Sequence, residues 1–148
     1  MKSRIWPVFF QVCSALLILS VVCLPGCTSP EPIEEVAEVE VLARTAFTDR
    51  IENFFEYSPL RSGEESEFLI HLTDLTDGSP VGNARVDLLV RRPETQAEVA
   101  QTTALVGRVT GIYVAELVAP EAGTYDIEFH VQTSEIDETV LLSGFEVE

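Results

Sequence analysis

Apolar and polar residues alternate along most of the chain after residue 39, as expected for β-strands that bury one face. The alternating segments are short, and turn-forming residues such as Asp77, Gly78 and Pro80 separate them. The apolar positions of the predicted strands are, in chain order, Val39, Val41, Ala43 and Phe47; Ile51, Phe55 and Tyr57; Phe68, Ile70 and Leu72; Val86, Leu88 and Val90; Tyr113, Ala115 and Leu117; and Tyr125, Ile127, Phe129 and Val131.

Two further segments have weaker patterns. Residues 98–104 are polar and predict an edge strand, and residues 139–147 predict a last strand with a bulge at Ser143 and Gly144. About seven short strands without a convincing helix predict an all-β fold, an immunoglobulin-like β-sandwich.

The segment EAGTYDI supports this fold class. Tyr125 precedes the apolar Ile127 by two residues, which is the arrangement of the tyrosine corner at the start of the sixth strand of immunoglobulin-like domains. Ile127 takes the place of the cysteine found in antibody domains. We therefore expect the Tyr125 hydroxyl to bond back to the backbone of the corner. The alternative is a tyrosine that only fills core space.

The first residues have the pattern of a secretory signal. Lys2 and Arg4 precede an apolar run over residues 12–22, which is shorter than the roughly 20 residues that span a bilayer. The run is followed by LPGC, which resembles the lipobox at which bacterial lipoprotein precursors are acylated on the cysteine and cut before it. Cys27 is thus the predicted lipidation site. The alternative is an ordinary signal peptide that leaves Cys27 as a free thiol.

The predicted organisation is a lipoprotein signal peptide over residues 1–26, an acidic tether over 27–38 and a sandwich domain over 39–148. The chain is expected to be lipid-anchored to a bacterial membrane and to face the periplasm. The outer membrane is slightly favoured because Thr28, which follows the cysteine, is not the aspartate that retains many lipoproteins in the inner membrane.

The charge of the chain is strongly negative. All 25 acidic residues follow Gly26, whereas two of the nine basic residues precede it, so the exported chain carries seven arginines, no lysine and a net charge of −18. Such a surface repels nucleic acid and anionic headgroups, because phosphate binding needs clustered Lys and Arg. The acidity is consistent with a cationic partner or simply with solubility.

Residues with metal-binding or catalytic chemistry are scarce. The segment around Asp74 and Asp77 lacks the ligand spacing of a calcium loop, and His71 and His130 are far apart, with no methionine after Met1 to support copper. A nucleophile elbow of the GxSxG type is also missing. We therefore predict no metal site, no cofactor and no enzymatic activity.

Residues 54–75, FFEYSPLRSGEESEFLIHLTDL, predict a strand, a turn at Gly63 and a returning strand, with Glu64, Glu65 and Glu67 at a water-facing tip. This region resembles the N-terminal β-domain of many periplasmic adaptor subunits (membrane fusion proteins) of heavy-metal RND efflux systems. The resemblance rests on Thr48 and Asp49, Phe54, Glu56 and Tyr57, Pro59 and Leu60, GEES at 63–66, Phe68, HLTDL at 71–75, and, further on, Gly111, Tyr113 and AGTY at 122–125.

The resemblance implies an accessory or interaction module of an RND-type efflux system, with an efflux adaptor, pump or outer-membrane channel protein as partner. Adaptors of this family continue into further domains, so the chain is expected to be a free-standing lipoprotein or the first part of a split adaptor. The predicted contact residues are Tyr57, Pro59, Leu60, Glu64 and Glu65, although Leu60 is equally compatible with the core. The alternative function is a periplasmic metal or small-ligand carrier, supported only by the acidic surface.

Overall fold

The computed structural model describes residues 40–148, and these form nine strands without a helix. The strands are β1 Leu42–Phe47, β2 Ile51–Tyr57, β3 Glu65–Asp74, β4 Arg85–Arg91, β5 Glu98–Thr103, β6 Leu105–Val106, β7 Ile112–Val118, β8 Gly123–Gln132 and β9 Asp137–Val147. The predictions for residues 1–39, including Cys27, lie outside the described residues.

The strands form two antiparallel sheets, which confirms the predicted β-sandwich. One sheet has the order β1-β2-β3-β7-β6 and the other the order β5-β4-β8-β9. In immunoglobulin terms, β2, β3, β7 and β6 correspond to strands A, B, E and D, and β4, β8 and β9 to C, F and G. The predicted immunoglobulin-like order is therefore present, with β5 in the place of C′ and β1 as an additional strand beside A.

An aromatic cluster fills the centre of the sandwich. Phe55 and Phe129 come from opposite sheets, and their ring centroids lie 4.7 Å apart. Phe68 and Phe145 complete the cluster, and all four side chains are buried. The alternating positions predicted to face inwards from Ile51 onwards are buried, apart from Tyr57 at the end of β2, which is half-buried.

Two predicted details of the last strands are confirmed. The Tyr125 hydroxyl donates a hydrogen bond to the Glu121 carbonyl at 2.8 Å, as a tyrosine corner requires. The register between β8 and β9 shifts so that Ser143 and Gly144 lie opposite a single residue, Asp126. Gly144 has a φ of 78°, a left-handed conformation that glycine adopts without steric cost and that suits a bulge.

Two buried polar residues were not predicted. Asn53 faces the core between Ile51 and Phe55, and neither polar atom of its side chain has a hydrogen-bond partner. Asp126 alternates with the inward-facing Tyr125 and Ile127 on β8, but it is only 5% exposed. The turn after β4 explains the burial of Asp126, since Gln96 lies over it with its amide nitrogen 3.4 Å from the carboxylate.

Candidate functional site

The β2–β3 hairpin has the predicted geometry. Its strands pair antiparallel with Tyr57 opposite Phe68, and the turn between them contains Gly63 at a φ of 74°. The Gly63 amide donates a hydrogen bond to the Ala119 carbonyl at 3.0 Å, which ties the turn to the chain after β7. Glu64 and Glu65 are exposed, which confirms that the hairpin tip faces water.

The predicted contact residues divide into two groups. Tyr57 and Pro59 are half-buried, and the Tyr57 ring stacks on Phe68 with centroids 5.2 Å apart, so burial raises the pKa of the Tyr57 hydroxyl. Leu60 is only 3% exposed, and its carbonyl accepts a hydrogen bond from the Glu148 amide at 2.9 Å. Leu60 therefore belongs to the core, and the prediction that it offers contact area is corrected.

Two shallow depressions flank Tyr57 where the chain enters β1. One, of about 230 Å³, is lined by Glu40, Leu42, Tyr57, Pro59, Leu60, Gly144, Glu146 and Glu148. The other, of about 200 Å³, is lined by Val41, Glu56, Tyr57, Ser58, Glu67 and Leu69. Both combine apolar side chains with carboxylates, and the second opens onto the outside of the five-stranded sheet.

The outside of the five-stranded sheet, called here the outer sheet face, combines exposed apolar side chains with glutamates. Strand register aligns its outward residues in rows that cross the sheet. Phe47, Leu105 and Val118 are 64%, 75% and 56% exposed. The face consists of Ala43, Thr45 and Phe47; Glu52, Phe54 and Glu56; Glu65, Glu67, Leu69, His71 and Thr73; Ile112, Val114, Glu116 and Val118; and Leu105.

His71 lies near the middle of this face. Its ring centroid is 5.3 Å from that of Phe54, and its Nε2 atom is 4.0 Å from a Glu56 carboxylate oxygen. This nitrogen is buried and has no hydrogen-bond partner among the described residues. The structure thus brings His71 together with aromatic and apolar neighbours as well as with one carboxylate.

The outside of the four-stranded sheet has a different character, because its charged groups pair with one another. Arg85 and Asp87 are 2.7 Å apart, and Arg91 and Glu128 are 3.2 Å apart. The hydrogen bond from Arg85 lowers the pKa of Asp87, and Thr103 also donates to this carboxylate. Asp126 lies on the same face, and one of its carboxylate oxygens is buried without a hydrogen-bond partner among the described residues.

His130 belongs to the same polar face and is half-exposed. Its Nε2 atom is 3.1 Å from Asp137, and its neighbour across the β4–β8 pair is Asp87. A depression of about 380 Å³ beside it is lined by Arg85, Asp87, Leu89, Gln101, Thr102, Thr103 and His130.

The apolar character of the outer sheet face was missed, although the sequence contains a signal for it. Strands that are covered on both faces have continuous apolar runs instead of alternation. Such runs occur at Phe54 with Phe55, at residues 68–70 (FLI) and at residues 112–114 (IYV). All three lie on neighbouring strands of the five-stranded sheet.

Two features are absent from residues 40–148. Residues 40–148 contain no group of three or more His, Cys, Asp or Glu side chains that could hold a metal ion. The same part of the chain has no helix long and apolar enough to cross a membrane.

Comparison with known proteins identifies no family. No protein-family model and no curated protein matches the chain. Among solved structures, the chain is similar to a copper-bound variant of FetP from uropathogenic Escherichia coli strain F11, with a TM-score of 0.47 and 9% sequence identity. The match covers 72% of this chain and 99% of that one. The resemblance to RND adaptor domains stays a prediction.

Proposed function

We propose that this chain is a non-catalytic, protein-binding module of the bacterial cell envelope, which docks through the outer sheet face. The resemblance of residues 48–75 to adaptor domains suggests the assembly, a heavy-metal RND efflux system. In this proposal, the lipid on Cys27 attaches the module to a membrane, with the outer membrane favoured, and an efflux adaptor, pump or channel protein is the partner.

The observation that carries the proposal is the difference between the two outer faces of the sandwich. One face pairs several of its charges internally and exposes Leu141, whereas the other exposes Phe47, Leu105 and Val118 around a half-buried apolar centre. Exposed apolar side chains grouped on one face, with glutamates between them and at the margin, are a feature of protein-protein interfaces. Burying such side chains contributes about 25 cal/mol per Å² of apolar area removed from water.

The hairpin with the family likeness lies beside this face and supplies part of it. Glu65, Glu67 and Leu69 project from β3 onto the outer sheet face, next to the depression that Tyr57 lines. Tyr57 and Pro59 are therefore assigned to the edge of the interface. Glu64 at the tip belongs to its solvent-exposed rim, where charge mainly affects association rate and salt dependence.

A photoreactive amino acid incorporated at single positions in intact cells tests this function. Position Leu105 on the outer sheet face should capture an efflux adaptor, pump or channel protein. The matched control is the exposed Gln101 on the opposite sheet, which should capture far less of the same protein. The proposal is wrong if no efflux component is captured from either position, or if both positions capture it equally.

The second candidate is a metal or small-ligand carrier, and one observation favours it. His130 and Asp87 are cross-strand neighbours beside the largest depression described above, and Asp87 is held ionised by Arg85. Imidazole and carboxylate are suitable ligands for zinc or copper, but two groups form only part of a tight site.

Titration calorimetry with Cu⁺, Zn²⁺ and Ca²⁺ distinguishes the two candidates. We expect at most weak, salt-sensitive binding to the lipid-free chain, because the carboxylates at the hairpin tip are not arranged as a preformed cage. Stoichiometric submicromolar binding that His130→Ala abolishes would replace the docking module with the carrier.

A further inference from the structure

We infer that the partner presents a cationic surface to the outer sheet face, with lysine or arginine side chains interspersed among apolar ones. This inference deepens the proposed docking function and rests on it. It names the partner by its chemistry, as a basic protein surface, and distinguishes it from a second copy of this chain and from a membrane.

The apolar rows of the face carry charges of one sign. Its ionisable members other than His71 are all glutamates, and neither lysine nor arginine projects from it. The nearest arginine on these strands, Arg44, points to the other side, where its guanidinium lies 4.4 Å from the centroid of the Phe145 ring. The glutamates are Glu52, Glu56, Glu65, Glu67 and Glu116.

Two of these glutamates are in an unfavourable arrangement for the free protein. Glu67 on β3 and Glu116 on β7 are direct cross-strand partners, and both side chains are exposed. Like charges in this position destabilise a strand pair. Neither residue forms an ion pair with another residue in the range 40–148. A cation from a partner would relieve their repulsion at the same time as Val114 and Leu69 become covered.

The same charges disfavour the other occupants of this face. Two copies of the chain associating through it would bring two sets of glutamates together, each on an exported chain of net charge −18. An anionic membrane would be repelled for the same reason. The tether over residues 27–38 is also acidic, with Glu31, Glu34, Glu35 and Glu38, and therefore does not complement the face.

The test uses the exported chain with Cys27→Ser and a synthetic probe peptide in which lysine and valine alternate. Binding is followed through the amide NMR signals of the protein. We expect the peptide to shift the signals of Leu69 and Val114, whereas Gln101 and Thr139 on the opposite sheet stay unchanged. A matched peptide with glutamate in place of lysine, and vesicles of phosphatidylglycerol, should leave the spectrum unchanged.

Two triple variants with equal net charge distinguish peptide binding at the outer sheet face from general electrostatic attraction to an acidic protein. Glu52→Gln, Glu67→Gln and Glu116→Gln on the face should weaken peptide binding about tenfold at low salt, since three exposed ion pairs are lost. Glu94→Gln, Glu98→Gln and Glu121→Gln, which lie elsewhere, should change it less than about twofold. The face variant should be at least as stable to urea as the wild type, because the Glu67–Glu116 repulsion is removed.

Three results would overturn the inference. The first is that both triple variants weaken peptide binding equally. The second is that the lysine and glutamate peptides bind equally well. The third is that the chain dimerises or binds vesicles through the outer sheet face. Its failure is distinguishable from failure of the docking function. If Leu105 still captures an efflux component while the peptide test fails, the docking function stands without a cationic partner. If the peptide binds as expected and nothing is captured in cells, the efflux assignment fails and the cationic preference remains.

Discussion

Tyr125→Phe tests the corner that closes the loop before β8. The substitution removes one hydroxyl and leaves the ring, which is only 2% exposed, in its place. The Glu121 carbonyl then loses the hydrogen bond that it accepts at 2.8 Å. Loss of one such bond with an unmet acceptor costs about 1 kcal/mol, which corresponds to a fall in melting temperature of about 4 °C for a domain of this size.

Tyr113→Phe provides a matched comparison. The Tyr113 hydroxyl is fully buried, accepts a hydrogen bond from the Ala84 amide at 2.9 Å and donates one to the Val81 carbonyl at 2.7 Å. Its removal leaves two buried backbone groups without partners, so the expected loss is about 2 kcal/mol or more.

Urea unfolding of the lipid-free chain, monitored by circular dichroism, measures both variants. The denaturant slope should stay constant, because the amount of surface exposed on unfolding is unchanged. A neutral effect of Tyr125→Phe would show that this tyrosine only fills space. An equal effect of the two substitutions would refute the hydrogen-bond account of their difference.

Three further predictions concern the core, the acid response and the anchor. Asn53→Leu should stabilise the domain by about 1 kcal/mol in the same unfolding assay, since it removes a buried amide without partners; a clear loss would mean that the amide is satisfied by buried water. Hydrogen bonds from Thr76 and Arg50 lower the pKa of Asp74 to about 2. The ionised Asp74 carboxylate therefore contributes to the folding stability above pH 4, and this contribution is lost as the pH falls from about 4 to 2. Asp74→Asn should therefore reduce the decline in stability over this pH window, whereas an unchanged decline would exclude Asp74 as its source. Labelled palmitate should enter the wild type and not Cys27→Ala, and equal labelling would disprove lipidation at this cysteine.

The strands were predictable because their main determinant is local. An antiparallel strand with one buried face must place apolar residues at every second position, and the sequence contains that period from Ile51 to Val131. The tyrosine corner and the bulge at Gly144 were predictable for a similar reason, since each depends on a few consecutive residues with special conformational or hydrogen-bonding properties.

The remaining features depend on contacts between distant parts of the chain. Leu60 lies outside any alternating segment, and its burial follows from its pairing with Val147 near the other end of the sequence. Asp126 is buried because a turn from another strand pair folds over it. Asn53 occupies an inward position that the strand period alone would have assigned to an apolar residue. The two-residue strand β6 is too short to produce a period.

The most direct test of the docking function is the solvent accessibility of the outer sheet face inside the cell. Val118→Cys and Gln101→Cys place single thiols at exposed positions on opposite sheets, and each should react readily with a polar maleimide in the purified chain. In intact cells, the account predicts that Val118→Cys is protected while Gln101→Cys reacts as fast as in the purified protein. Equal reactivity of the two thiols in cells would contradict it.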